Sequence, residues 1–194
     1  PDMIAEGAEF LTLWQASRTV SLALMYNKAR IRTDDLEYMG ISIAELLNRD
    51  ENVLDAIVSV EPGPRWRLSL DGQFGAYRFA GQETSVRNAK SYGIYGGIES
   101  TSRVGEIAAR AGIRGALRLG YLRLDIANPE YEDGSGFSGE ADLTVDLNSR
   151  TAVHLLFSRG LEFSVFSGAA YFQTTRYGAG LRQRFSRRTS FSIE

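Results

Sequence analysis

The chain has 194 residues, with 22 Lys and Arg against 24 Asp and Glu for a net charge of -2. That length suffices for one domain with a real interior, and the balance gives no pull towards nucleic acid. There is no cysteine and a single histidine, His154, which excludes disulfides, thiolate metal sites, cysteine nucleophiles and any device that needs two histidines. No apolar run approaches the ~18 residues of a membrane-spanning helix; the most apolar stretch, Val20 to Tyr26, is already interrupted by Ser21.

Period-two alternation is the dominant pattern along the chain. Glu9 to Ala16 is apolar on both parities, but Val20, Leu22, Leu24 and Tyr26 then alternate with Ser21, Ala23 and Asn27. Ile41 to Leu47 has the character of a short helix in a connection. Trp66, Leu68, Leu70, Phe74 and Ala76 share one parity, with Arg65, Arg67, Ser69, Asp71, Gln73 and Gly75 on the other. Between Leu117 and Ile126 the parity slips, since Leu117 and Leu119 are followed by Leu122, Leu124 and Ile126; a bulge near Gly120 restores the phase. Ala141, Leu143, Val145 and Leu147 alternate with Glu140, Asp142, Thr144 and Asp146. Val153, Leu155, Phe157, Leu161, Phe163 and Val165 alternate with His154, Ser158, Gly160, Glu162 and Ser164. Because successive strand side chains point to opposite faces, each such segment has one greasy and one polar face.

The punctuation has a rhythm. Short polar turns are expected at Ser17-Arg18-Thr19, Pro62 to Arg65, Ser102-Arg103-Val104, Ser149-Arg150-Thr151 and Arg187-Arg188-Thr189, the third of them alternatively at Ala111-Gly112. Their arginines, at 18, 65, 103, 150 and 188, are spaced 47, 38, 47 and 38 residues apart. Longer connections fall between them, at Thr33 to Asn52, Gly81 to Lys90, Asn128 to Phe137 and Ser167 to Ala170. The count is about nine strands and a truncated tenth. The chain opens on Pro1-Asp2 and stops within a strand-like pattern at Phe191 to Glu194, and both ends are expected to be cuts in a longer polypeptide.

A soluble β-sandwich also alternates. Its turns recur every ~8–12 residues, however, whereas hairpins here recur at ~40, with tight turns at one end and long connections at the other. Aromatics gather at strand ends: Trp14, Trp66 and Phe185 beside short turns, and Tyr26, Tyr92, Phe163 and Tyr171 nearer the long connections. Such girdles mark the two interfaces of a membrane. The expected fold is therefore all-β: an antiparallel up-and-down transmembrane β-barrel segment spanning residues 1–194 and belonging to a larger barrel, since so few strands leave little open lumen.

The candidate functional residues are lumen-lining ones of the polar parity: Arg65, Arg67, Asp71, Arg118, Arg123, Glu140, Asp142, Asp146, Arg176, Arg182 and Arg184. Charged rings of one sign set pore selectivity, but both signs occur on this face, so cross-strand ion pairs are the simpler expectation. Arg159 lies on the apolar parity and is expected near a rim, because Arg at mid-membrane on the lipid face costs roughly 2–4 kcal/mol. His154 reads as a structural residue of the polar face. The acidic groups Asp34, Asp35 and Glu37, and Glu130, Glu132 and Asp133, read as solvated connections, with calcium binding as the alternative. No catalytic residue, cofactor site or metal site is expected; no Gly-x-Ser-x-Gly elbow occurs, and the glycine-rich Gly93 to Gly97 lacks the lysine and helix of a phosphate loop.

Leu119-Gly120-Tyr121-Leu122-Arg123-Leu124-Asp125, followed by Asn128-Pro129, resembles a hallmark of the β-barrel porin 2 family. Gly134 to Leu143 is similar to that family's glycine-containing re-entry into an alternating strand. Ser149-Arg150-Thr151, Ser158-Arg159, Tyr171, Thr174, Gly178, Leu181 and Phe185 to Arg188 resemble its following turn and hairpin. The likeness is best from about Tyr92 to Glu194. It implies an outer-membrane barrel, porin-like and associated with exopolysaccharide export, with membrane lipid, lipopolysaccharide and envelope export components as partners. The alternatives are a non-conducting envelope barrel that serves structure or interaction, and a soluble β-rich binding protein.

Overall fold

In the computed structural model, the structure describes residues 3–33, 37–38, 41–42, 44, 47–81, 87–100, 112–164, 169–185 and 190–193. The short turns expected at Ser102 to Val104 and Arg187 to Thr189, and the acidic Asp34 and Asp35, lie outside them. Ten strands form one antiparallel sheet: β1 (Met3–Gln15), β2 (Val20–Thr33), β5 (Arg49–Gly63), β6 (Trp66–Phe79), β7 (Ala89–Ser100), β8 (Gly112–Ile126), β9 (Gly134–Asp146), β10 (Thr151–Phe163), β11 (Tyr171–Arg184) and β12 (Ser190–Ile193). Strands β3 (Glu37–Tyr38) and β4 (Ile41–Ser42) make a small separate ribbon inside the β2–β5 connection. Apart from that excursion, sheet order follows chain order from edge β1 to edge β12, and the sheet is open rather than closed into a barrel. Part of the segment expected to be helical is thus extended, at Ile41–Ser42; a helical bond follows, from Asn48 N to the Ala44 carbonyl at 2.9 Å. Among the described residues no helix is long and apolar enough to cross a membrane, which says nothing of strands.

Short-range hydrogen bonds explain where the strands stop. In the β1–β2 turn, Ser17 Oγ accepts from the backbone N of Thr19 and Val20 at 3.3 and 3.1 Å. In the β9–β10 turn, Asn148 Oδ1 accepts from Arg150 N and Thr151 N at 2.8 and 2.9 Å. Both are side chains imitating a turn carbonyl. Three of the long connections share a different device. Asn48, Asn88 and Asp133 each stand one residue before a strand. Their side-chain oxygens accept the backbone N–H of the residue that ends the previous strand, namely Thr33 at 2.7 Å, Phe79 at 2.9 Å and Ile126 at 3.0 Å. Each connection is thereby clamped at its base, and a donor that the ladder leaves free is satisfied.

The sheet exposes apolar side chains on one face and shelters polar ones on the other. On the outer face Leu70, Ile94 and Tyr121 are 56%, 60% and 52% exposed, whereas on the inner face Asp55, Asp71 and Tyr95 are 5%, 5% and 4% exposed. Polar groups are sheltered because the sheet rolls about its polar face. Arg49 on β5 and Phe163 on β10 are five strand intervals apart, roughly 24 Å on a flat sheet, yet the Arg49 guanidinium lies 5.3 Å from the Phe163 ring.

The roll is tightest at the end carrying the long connections, and there a small apolar core forms. Ala89, Leu124, Ile126 and Ala170 are buried, with Tyr77, Tyr131, Leu161, Phe163 and Tyr171 packed around them. This corrects the reading of β8. Its register is continuous against β7 and β9, from Gly115 and Gly112 to Ile126 and Leu124, with no bulge at Gly120. The parity changes because Leu117, Leu119 and Tyr121 face outwards whereas Leu124 and Ile126 face the inner core. Gly120 is needed for another reason: a Cβ there meets the ring of its cross-strand partner Tyr95 at 2.5 Å.

Candidate functional site: a polar inner face behind an apolar belt

The cross-strand register arranges the outer face in levels. Nearest the short turns stands Trp66, 43% exposed, whereas Trp14, 62% exposed, lies level with Leu22. Then come aliphatic rungs such as Val20, Val60, Leu68 and Ile98, and Leu22, Val58, Leu70 and Gly96. An aromatic rung follows, in which Phe10, Tyr26, Leu54, Phe74 and Tyr92 are successive partners on β1, β2, β5, β6 and β7. Phe10 stacks on Tyr26 at 6.5 Å and Phe74 meets Tyr92 at 5.4 Å. The next rung is polar, with Lys28, Asn52, Ala76, Lys90 and Asp125, and the one beyond holds Arg30, Asp50 and Arg78. The Tyr26 hydroxyl reaches up to this level, donating to Asn52 Oδ1 at 2.7 Å, so the ring stays in the apolar layer and its tip leaves it.

From Val20 to Tyr26 on β2 and from Trp66 to Phe74 on β6, the belt is about 20–26 Å long measured along the strand. On β10 and β11 it narrows to Val153 to Phe157 and Leu181 to Tyr177, with Arg159 as the first charged residue above it. About twenty large apolar side chains stand on this face roughly half exposed. At ~150 Å² each they amount to on the order of 1,500 Å², several times the largest apolar patch of an ordinary soluble monomer.

The inner face is a lattice of ion pairs and side-chain hydrogen bonds. Arg118 on β8 lies flat over the Tyr95 ring, 3.7 Å from its centroid, and pairs with Asp71 on β6. Asp55 accepts from Gln73 Nε2 at 2.8 Å. Arg67 bridges Glu61 and Glu99 at 2.9 and 3.0 Å. Asp146 pairs with Arg114 at 3.0 Å, Asp142 with His154 Nε2 at 2.8 Å, and Arg176 with Glu162 at 2.6 Å. A trough of about 720 Å³ runs along this face, bordered by Arg67, Glu99, Arg118, Glu140, Asp142 and Arg176. Arg182 is exposed and shares this parity on β11.

Two candidates stand elsewhere. Arg123 is cross-strand partner to Tyr92 and Ser135 on the outer face, where it pairs with Asp125 at 2.5 Å; the assumed shift at Gly120 had placed it on the wrong side. Arg65 is an exposed residue of the two-residue turn between Gly63 and Trp66. Arg184 keeps the inner parity of Arg182 and is exposed at the short-turn end of β11, where its backbone N bonds to Arg150 O at 2.7 Å. Phe163 and Tyr171, expected in an aromatic girdle, pack inwards instead.

Asp55, Gln73, Tyr95 and Arg114 were not among the candidates. Tyr95 had a signal in the flanking glycines: a Cβ at Gly93 meets the Tyr95 ring at 2.5–3.0 Å, so the gap in side chains is the space the ring fills. Among the described residues no group of three or more acidic or histidine side chains could hold a metal ion, and Asp133 is occupied in bonding Ile126 N. In comparisons with known proteins, no family model, no curated protein and no solved structure matches this chain.

Proposed function

We propose that this chain is wall material of an outer-membrane β-barrel, porin-like, with its outer belt against lipid and its polar face towards a water-filled passage for solute or polysaccharide. The observation that carries this reading is the order of levels on the outer face. Aliphatics, aromatics and then charges succeed one another across adjacent strands, with Trp66 below the aliphatics on β6; this is the order of hydrocarbon, interface and headgroup. Leaving such a half-exposed face in water forgoes ~1 kcal/mol for each large side chain, which favours a cover. Hydrocarbon fits one whose upper edge is a row of Phe and Tyr. The belt's modest length suits an outer membrane, which is thinner than average.

The test is physical. The full-length chain is expected to require detergent and to migrate differently on a gel before and after heating; recovery in the aqueous fraction without detergent overturns the reading. In a planar bilayer, Arg67→Glu and Arg182→Glu are expected to shift the reversal potential towards cation selectivity. An unchanged potential removes these residues from the passage. A second reading is favoured by one observation. The inner face is filled by Phe163, Tyr77 and Phe79 at the long-connection end, which suits a barrel that anchors envelope components without conducting. Insertion with no conductance supports that alternative.

A further inference from the structure

The β10–β11 hairpin parts from its neighbour before its tip. Internally it is paired throughout, from Thr151↔Gln183 to Phe163↔Tyr171. Strand β9 likewise follows β8 to its far end at Gly134↔Leu124. The register between β9 and β10, however, stops at Gly139↔Arg159. Beyond it, Gly160 to Phe163 and Tyr171 to Gln173 swing over the inner face. Phe163 stands edge-on to Tyr77 at 5.0 Å and to Phe79 at 5.1 Å, with the Arg49 guanidinium over it at 5.3 Å. Leu161 and Tyr171 pack on the Ala89, Leu124, Ile126 and Ala170 cluster. The Tyr171 hydroxyl donates to Asp133 O at 3.2 Å.

Two features make this more than a bent end. First, β9 presents a seat without side chains: a Cβ at Gly134 meets the Tyr171 ring at 2.8–3.0 Å, and one at Gly136 meets Gln173 Nε2 at 3.2 Å. Second, Leu161 and Phe163 have the parity of Val153, Leu155 and Phe157, which face outwards. Continued by two more rungs, the β9–β10 register places Leu161 opposite Phe137 and Phe163 opposite Ser135, on the outer face. The same sequence therefore has two consistent places for this tip. The separation begins at Arg159, above the apolar belt, where water can satisfy the backbone groups of β9 that the departing strand leaves.

We infer that residues 160–163 and 171–173 of the β10–β11 hairpin are a flap with two seats: one docked across the inner face, as in this structure, and one zipped onto the Gly134–Ser138 edge of β9 with the inner face uncovered. Only its consequence, opening and closing of one mouth of the passage, rests on the proposed function; the rearrangement itself does not. A cysteine-free chain lets it be tested directly, in detergent or in water.

Phe137→Cys with Leu161→Cys places two thiols directly opposite each other only in the zipped seat. Under mild oxidation a substantial fraction of the chain is expected to form this disulfide, and Gly134→Val, whose methyls occupy the place of the Tyr171 ring, is expected to raise the yield severalfold. By hydrogen exchange, Gly134→Val is expected to slow by roughly tenfold those amides of 135–138 that point away from β8, as they gain strand partners. Should that variant fail to fold, Phe163→Ala, which weakens the docked seat, must move both readouts the same way. A disulfide yield at background in the parent and in the foldable variant, with exchange at 135–138 unchanged or faster, overturns the flap. If the protein partitions into water while the disulfide still forms, the membrane reading fails and the flap stands.

Discussion

The hairpins β6–β7 and β10–β11 are built alike and end differently. Each pairs internally along its whole length. The first also keeps neighbours on both sides to its far end, with β5 reaching Arg49↔Phe79 and β8 reaching Ile126↔Ala89; the second loses β9 after Arg159. The outer levels explain the contrast. On β6 the apolar run continues to Phe74 before Arg78 appears, whereas on β10 a charge interrupts it directly after Phe157. Beyond that charge, Leu161 and Phe163 have no belt to join and find a greasy surface on the inner side. What fixes a strand to one face is thus the material against that face, not its alternation alone.

Substitutions can break or sharpen this contrast. The largest effect is expected for Leu70→Arg, in the middle of the belt on β6. In a bilayer it should cost ~2–4 kcal/mol, whereas Ala80→Arg, exposed above the belt just past the end of β6, should stay within ~0.5 kcal/mol, as a surface change does. Denaturant unfolding in lipid vesicles measures both, and equal costs at the two sites would remove the belt as the cause of the difference. Next is Asp71→Asn, which leaves the Arg118 guanidinium against Tyr95 without its counter-charge. A loss of about 2–3 kcal/mol is expected, as for partly buried pairs broken on one side, and a double-mutant cycle with Arg118→Gln should return part of it. A smaller loss, ~1 kcal/mol, is expected from Asn88→Ala, which frees the N–H of Phe79 at the clamped base of β6–β7. The smallest is Arg176→Gln on β11, whose exposed pair with Glu162 should contribute under ~0.5 kcal/mol; thermal unfolding of that variant should match the parent.

Much of the sheet could be read from the sequence. Val20 to Tyr26, Trp66 to Ala76, Ala141 to Val145 and Val153 to Phe157 lie in strands of the expected parity, and the β1–β2, β5–β6 and β9–β10 turns stand where the punctuation put them. Failures cluster at the long-connection end. There the inner face carries its own apolar core, so the parity of apolar residues reverses along a single strand, and Leu124 and Ile126 imitate a bulge that does not exist. Arg123 was misplaced by the same step. Parity also assigns a face without assigning neighbours. It put Arg118 and Asp71 on one side, but their meeting across Tyr95 depends on the register of β6, β7 and β8, which single-strand patterns do not contain. The clamps at Asn48, Asn88 and Asp133 form a repeated signal, an amide or acid one residue before a strand, that becomes meaningful only once its partner N–H is known.

The strictly sequential strand order has a kinetic consequence. Within the large sheet every strand pairs only with its neighbours in the sequence, and the longest excursion between partners is the β2–β5 connection with its small ribbon. Because the entropy of closing a loop rises only slowly with its length, no step requires a distant search. Assembly can proceed as a zipper, each completed hairpin offering a ready edge to the next. A chain of this kind can acquire its shape from either direction, and local pairing rather than a central nucleus should set its rate.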